Sequence, residues 1–322
     1  GNLKAGEGQR VFIIAEIGIN HQGNVNIARE LDKTAKECGA NAIKLQKRSI
    51  SRILTKEGLE MPYDNRNSFG KTYGEHKKVL ELSNSDYQTL NTYCRDLDII
   101  FSASGWDEES IDFLDELDVP FFKITSADMT NFPLIKHIAK NKKPIIISTG
   151  MSTINEIEKT VNFVKKELVP FVLLHCNSTY PSPTELLNLK LICTLGEKFD
   201  VLIGYSGHER GIIPTLTAAN IGAVMVERHI TLDKTMEGID QAASLNPEEF
   251  SNLVKFIREA EKAKGDSQKK MTRGEVLQRE VLGKSLICCK NIKKGEVFSE
   301  KNIEVKGPAK GISPQYYYEI LD

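Results

Sequence analysis

His208 in IGYSGHE and His229 in VERHI are the residues whose type and spacing point most directly to chemistry. Each follows a short apolar run, Val201–Ser206 or Ala223–Glu227, of the kind that forms a buried strand. Consecutive strands of a parallel barrel end on one face, so the two imidazoles can share a divalent metal ion. Other polar residues take equivalent places. Glu16, Asn20 and His21 fall in AEIGINHQG, Lys44 and Gln46 in IKLQK, Ser102 and Ser104 in FSAS. Lys123, Thr125, Ser126 and Asp128 fall in FKITSAD, and Ser148 and Thr149 in STG. Asn177, Ser178 and Tyr180 fall in HCNSTYP, Ser206 in IGYS, and Asp240 lies beyond His229.

Lysines converging with hydroxyls suit a phosphorylated, carboxylated ligand. Two imidazoles with a carboxylate suit Mn2+ or Mg2+ better than structural zinc. Each residue also has a structural alternative. Lys44 can snorkel to the barrel rim. Lys123 can serve as a Schiff-base lysine. Tyr180 before Pro181 can shape a turn, the serines can cap helices, and Glu227–Arg228 can form an ion pair. Joint placement at one barrel mouth favours the chemical reading.

The elements that would position these residues form a repeating pattern. Eight apolar runs read as strands: Val11–Ile17, Ala42–Gln46, Ile99–Ser102, Phe121–Ile124, Pro144–Ser148, Phe171–His175, Val201–Tyr205 and Ala223–Glu227. Amphipathic stretches alternate with them: Asn26–Glu37, Asp107–Leu117, Leu134–Lys140, Ile154–Lys166, Leu186–Leu195, Ile212–Ala219 and Pro247–Ala263. The pattern predicts an α/β fold, a TIM (β/α)8 barrel, with a doubly wound open sheet as the alternative. One connection, Arg48 to Glu81, is long and polar and would overhang the C-terminal mouth. The expected division is a barrel over 1–265, a linker over 266–280 and a small β-rich module over 281–322 that looks cut short.

Composition narrows the function. The net charge of −1 gives no field that favours nucleic acid. No apolar run approaches the roughly 20 residues of a membrane helix, and Gly1–Arg10 lacks a signal-peptide core. A cytoplasmic protein is expected. The six cysteines fit neither a zinc knuckle nor a disulfide framework; only Cys176, after a strand, stands near the predicted site.

The motifs AEIGINHQG, IKLQK, FKITSAD, IISTGM, LLHCNSTYP, IGYSGHE and VERHITLDK resemble, in order, those of the sialic acid synthases. The likeness runs from about Val11 to Gly265, and the C-terminal module is similar to the antifreeze-like (SAF) domain of those enzymes. GKTYGEHKKVLELS and ITLDKTMEGIDQAASL further resemble the animal-type N-acetylneuraminate-9-phosphate synthases. The resemblance implies condensation of phosphoenolpyruvate with an N-acylhexosamine, N-acetylmannosamine or its 6-phosphate. It implies His208 and His229 as ligands of Mn2+ or Mg2+. It implies Lys44, Ser104, Lys123, Ser126, Ser148, Ser178 and Ser206 around phosphoenolpyruvate. Gln46, Asp128, Tyr180 and Asp240 would hold the open-chain sugar, with Glu16 beside the reacting carbons. A domain-swapped homodimer is implied too.

Several members of that family carry Glu in place of Asp128, and Thr and Asn in place of Ser104 and Ser178. Many bacterial members have an Arg in a KRPG-like turn where this chain reads VKGPAKG, with Gly307 at that place. Arg66, Lys71, His76 and Lys77 of the long connection either bind a sugar phosphate or form a solvated face. Rival readings are a synthase for a legionaminic-type acid, a Schiff-base pyruvate lyase acting through Lys123, and a barrel that binds without catalysis.

Overall fold

The computed structural model describes residues 5, 6 and 8–321. Part of the N-terminal stretch Gly1–Arg10 and the last residue of the 281–322 module therefore lie outside the described residues. The chain forms two compact units, 1–264 and 265–322.

In the first unit, eight parallel strands close into a barrel in sequence order. They are β1 (Phe12–Gly18), β2 (Ala42–Lys47), β3 (Ile100–Gly105), β4 (Phe122–Ile124), β5 (Ile145–Ser148), β6 (Phe171–Cys176), β7 (Leu202–Gly207) and β8 (Met225–His229). β1 pairs with both β2 and β8, so no edge is left open. The helices of this unit are α1 (Val25–Glu37), α2 (Ile50–Ile53), α3 (Lys56–Glu60), α4 (Tyr73–Leu80), α5 (Asn84–Asp96) and α6 (Glu108–Glu116). After them come α7 (Phe132–Ala139), α8 (Ile154–Lys166), α9 (Leu191–Phe199), α10 (Ile213–Asn220) and α11 (Pro247–Lys264). Among the described residues no helix is long and apolar enough to cross a membrane.

Successive strand residues point to opposite faces. Ile13, Ala15 and Ile17 of β1 face outward and join Leu31 and Ala35 of α1 in the main core. Phe12 and Ile14 face inward and meet Ala42, Phe121, Ile146, Leu174 and Met225 in a separate apolar cluster. The same alternation sends Glu16, two residues beyond Ile14, inward at the other end.

Three expectations change. The connection Arg48–Glu81 is not a plain loop but carries α2, α3 and α4. A capping box at α4, in which Thr72 and Glu75 satisfy each other's backbone N–H groups, starts its longest helix. The helix expected at Leu186–Leu195 starts later, at Leu191, because Asn188 takes a positive φ of 47° and breaks the run. The expected linker 266–280 contains most of α12 (Arg273–Leu282), started by a second capping box, Thr272 with Glu275. The second unit also holds an antiparallel pair, β9 (Ser285–Cys288) with β10 (Ile303–Lys306), and a short α13 (Tyr317–Leu321).

Candidate active site

A cavity of about 300 Å3 sits at the C-terminal ends of the barrel strands. Its floor is a buried layer of charge. Glu16 on β1, Lys44 on β2, Lys123 on β4 and Glu227 on β8 are each 5% exposed or less. The Lys44 ammonium is in close contact with Glu16 and donates to Ser104 Oγ at 2.9 Å, with Glu227 at 3.7 Å. Lys123 donates to Ser148 Oγ at 2.8 Å and lies 3.8 Å from Glu227. Ser206 Oγ donates to the same Glu227 carboxylate at 2.9 Å. Strand register builds this contact set: Glu16 pairs with Lys44 and His229, Ser104 with Lys123, and Ser206 with Glu227.

Burying four charges is costly unless they compensate one another. Burial raises the Glu16 carboxyl to about 7 against the pull of Lys44, and the Glu227 charge adds to the rise. Burial also lowers the Lys123 ammonium, with Glu227 opposing and Lys44 reinforcing. Lys44 stays above its ordinary value because Glu16 and Glu227 outweigh its burial. Glu227 stays ionised for the reciprocal reason: Lys123 and Lys44 outweigh its own burial.

Above the floor, the His208 and His229 rings lie with centroids 5.4 Å apart. His208 Nδ1 is 2.8 Å from the Asn177 carbonyl, and its Nε2 is 2.8 Å from the Tyr180 hydroxyl. The carbonyl fixes a proton on Nδ1, so in the neutral ring Nε2 carries the lone pair; burial lowers His208, but Cys176 and the Asn177 carbonyl outweigh it and hold the ring above its ordinary value. His229 Nδ1 is buried with no hydrogen-bond partner, 3.7 Å from an Asp240 oxygen. Burial, then His208 and Lys44, hold His229 well below the usual imidazole range, so it is neutral, as a metal ligand must be. Two imidazoles lining one cavity fit a divalent ion that takes its other ligands from substrate or water. Among the described residues no set of three His, Cys, Asp or Glu side chains closes around such an ion.

Two glycines keep the cavity open. A Cβ on Gly18, at φ +56°, would meet Glu16, His229 and Gln46 side-chain atoms at 3.2–3.3 Å. A Cβ on Gly150 would overlap Ser178 Oγ at 2.2 Å and Ser126 Oγ at 2.7 Å. The Gly150 N–H donates to Ser126 Oγ at 3.1 Å, which places both serines on one wall.

Glu16, Lys44, Gln46, Ser104, Lys123, Ser126, Ser148, Ser178, Tyr180, Ser206, His208, His229 and Asp240 all line the cavity. Asp128 does not; its oxygens accept from Thr125 and Asn131 within the turn after β4. Ser102 is spent on the Phe121 carbonyl and Thr149 on the Leu174 carbonyl. His76 is buried among Tyr63, Phe69 and Tyr73, its Nδ1 accepts from the Phe69 N–H, and it does not line the cavity. Lys77 of the same helix does line the cavity, and burial followed by repulsion from Arg48 lowers it to about 8.

The structure adds residues that the sequence reading did not assign to the site. Glu227 does not pair with Arg228. Neighbours on a strand face opposite ways, and Arg228 turns outward to Glu209 at 2.8 Å. The period-2 step Met225–Glu227–His229 carried that signal. Trp106 lines the cavity and stacks against Arg48, whose guanidinium lies 5.2 Å from the ring centroid. Arg48 is 2% exposed; its backbone N–H donates to Glu81 Oε1 at 3.2 Å, while its guanidinium has no carboxylate partner among the described residues and donates to Gln46 Oε1. It thereby turns the Gln46 amide nitrogen toward Glu16 Oε1, at 3.3 Å. Cys176 stands on the floor 3.8 Å from both Ser178 Oγ and His208 Nδ1.

A closed (β/α)8 barrel whose mouth gathers two buried carboxylates, two buried lysines, a row of hydroxyls and two imidazoles has the architecture of a barrel enzyme. Comparison with known proteins makes this specific. The pattern of the NeuB family matches residues 31–269, and the chain belongs to that family. It is 42% identical over 311 residues to the N-acetylneuraminate-9-phosphate synthase of Mus musculus, covering 96% of this chain and 87% of the mouse protein. It is 39% identical over 317 residues to the N,N'-diacetyllegionaminic acid synthase of Campylobacter jejuni, covering 97% of this chain and 95% of that one. Among solved structures, the N-acetylneuraminic acid synthetase of Leptospira borgpetersenii superposes with a TM-score of 0.76 at 34% identity, over 86% of this chain and 93% of that chain.

Proposed function

We propose that the protein condenses phosphoenolpyruvate with an open-chain N-acylhexosamine to give a sialic-acid-type sugar acid and inorganic phosphate. The observation that carries this is the floor, where two buried lysines and three serine hydroxyls surround two carboxylates beside an imidazole pair. The names of the mouse and Campylobacter relatives support the same reaction class.

Lys44 and Lys123, with Ser104, Ser126, Ser148, Ser178 and Ser206, hold the phosphate and carboxylate of phosphoenolpyruvate. Gln46, Tyr180 and Asp240 orient the acceptor. His208 and His229 would hold Mn2+ or Mg2+, which when bound supplies Lewis-acid polarisation of the aldehyde oxygen. Carbon 3 of phosphoenolpyruvate forms the new bond to the aldehyde carbon, and the aldehyde oxygen takes up a proton from solvent, which Glu16 later returns. Carbon 2 becomes electron-poor, and the ionised Glu16 stabilises it and accepts a proton from the water that adds there. The carbon–oxygen bond to phosphate then breaks as the new carbon 2 hydroxyl becomes the keto oxygen and gives its proton to the departing phosphate, which leaves between the lysines.

The test is phosphate release from phosphoenolpyruvate by EDTA-treated protein given back Mn2+, with N-acetylmannosamine or its 6-phosphate as acceptor. Silence with both acceptors sinks the reading, and turnover by His229→Ala at the native rate sinks the ligand assignment. The lowered ammonium of Lys123 favours one rival, a Schiff-base lyase. Borohydride trapping of pyruvate on the protein would establish that rival. The reading extends, on sequence resemblance, to a cytoplasmic homodimer with an antifreeze-like second unit; a monomer in sedimentation would remove the dimer.

A further inference from the structure

A second hollow, of about 440 Å3, adjoins the catalytic cavity, and Tyr180 and Ile239 line both. Three cations face it: Arg66 from the α3–α4 connection, Arg210 just after β7, and Lys234 in the loop after β8. Lys234 is held by Glu249 at 2.5 Å. Neither Arg66 nor Arg210 forms an ion pair among the described residues. Among the described residues the only acid lining the hollow is Glu237, so the wall is net positive. The two arginines belong to chain segments far apart in sequence, yet both face one space.

We propose that this hollow binds the phosphate of a phosphorylated acceptor sugar, through Arg66 and Arg210, with Lys234 adding charge at the rim. The inference rests on the condensation reading and deepens it, because it settles which form of the acceptor the site prefers. Distance supports it. An extended hexose chain spans about 8 Å from its aldehyde carbon to a phosphorus at the far end. The Tyr180 ring centroid lies 4.0 Å from that of His208 and 5.8 Å from that of His229. A sugar with its aldehyde at the histidines therefore runs past Tyr180 and delivers its distal group into the hollow. The 300 Å3 catalytic cavity is tight for both substrates, and the adjoining space takes the overhang. Two planar guanidiniums present paired N–H donors that match a phosphate dianion. Of the loop cations considered from sequence, Arg66 thus keeps a phosphate role, while Arg210 and Lys234 come from other loops.

The test compares mannitol 6-phosphate with mannitol, open-chain probes that cannot be condensed, by calorimetry on the whole chain. The native protein should bind the phosphate ester on the order of tenfold tighter or more, and the variant R66Q/R210Q should lose most of that difference. Both arginines are exposed, so the variant keeps its fold. An unchanged difference in R66Q/R210Q, or none in the native protein, overturns the proposal; an unchanged difference places the phosphate at the lysine floor instead. In turnover, the native preference for N-acetylmannosamine 6-phosphate over the free sugar should fall at least tenfold in R66Q/R210Q. Turnover of the free sugar alone overturns the subsite and leaves the condensation reading standing. Turnover of neither sugar sinks the condensation reading, and the mannitol comparison still decides the subsite.

Discussion

At one end of the barrel, Phe12, Ile14, Ala42, Ile146, Leu174 and Met225 meet as an apolar layer. Two residues further along the same strands stand Glu16, Lys44, Ser148, Cys176 and Glu227. Both layers are almost free of solvent, but they are buried for opposite reasons. The apolar layer gains roughly 25 cal/mol for each Å2 it removes from water. The charged layer loses hydration and recovers only what its internal pairing supplies. A hollow of about 640 Å3 opens at the apolar end, larger than the catalytic cavity, yet its deep lining is Phe12, Phe121, Ile146 and Met225. Cavity size therefore does not locate the chemistry here; buried charge does.

The sharpest way to break the contrast is at Lys44. Lys44→Met should lower turnover by at least about a thousandfold and cost roughly 3–5 kcal/mol of stability, because Glu16 and Glu227 are left facing each other. Replacing the whole layer at once, as Glu16→Leu, Lys44→Met, Lys123→Met and Glu227→Leu, should be inactive but as stable as the native protein or more so, by about 1–4 kcal/mol. Denaturant melts of the single and quadruple variants check both; a quadruple variant weaker than Lys44→Met would show that the charge layer stabilises the fold.

At the apolar end, Ile146→Ala should cost roughly 2–5 kcal/mol while kcat falls less than about threefold, since the cavity it leaves is remote from the reacting atoms. A large kcat loss would mean that the two layers are mechanically coupled. The pH profile separates them again. Glu16 works as a carboxylate and is raised to about 7, so kcat/KM should fall as pH drops through about 7, tenfold per unit below it. A flat profile down to pH 5 would remove Glu16 from that role.

The smallest effect lies outside the barrel. Asp32 on α1 is buried with neither oxygen hydrogen-bonded, and burial raises it to about 8, against the Cys94 thiol beside it. The folded state therefore binds this proton more tightly than the unfolded state, and stability falls as pH rises from about 4 to about 8. Asp32→Asn should raise stability at pH 8 on the order of 1–3 kcal/mol and flatten that slope. An equal slope in the variant would assign it to another group.

Much of this arrangement is legible in the chain. The strands are unbroken apolar runs, and polar residues that interrupt such a run at its end must face the barrel mouth. That logic reaches Glu16, Lys44, Lys123 and both histidines. It fails at Glu227, because adjacency to Arg228 suggests a pair that strand alternation forbids. It fails at Asp128, where the partners Thr125 and Asn131 close a local turn. Arg48 carries no periodic signal at all; its burial depends on Trp106 and on helices of the β2–β3 connection that fold over it. Those helices were signalled by the capping pair Thr72 and Glu75, as α12 was by Thr272 and Glu275, and length and polarity of the segments masked both.

The floor formed by Glu16, Lys44, Lys123 and Glu227 sums to zero charge when all four are ionised. An anion arriving there finds no spare positive charge unless a proton comes with it, and Lys77, which lines the same cavity and is lowered to about 8, is the group poised to accept one while Glu16 stays ionised. Ligand capture and proton uptake are then two readings of one equilibrium. The heat of binding near pH 8 would carry the ionisation heat of whatever buffer supplied the proton.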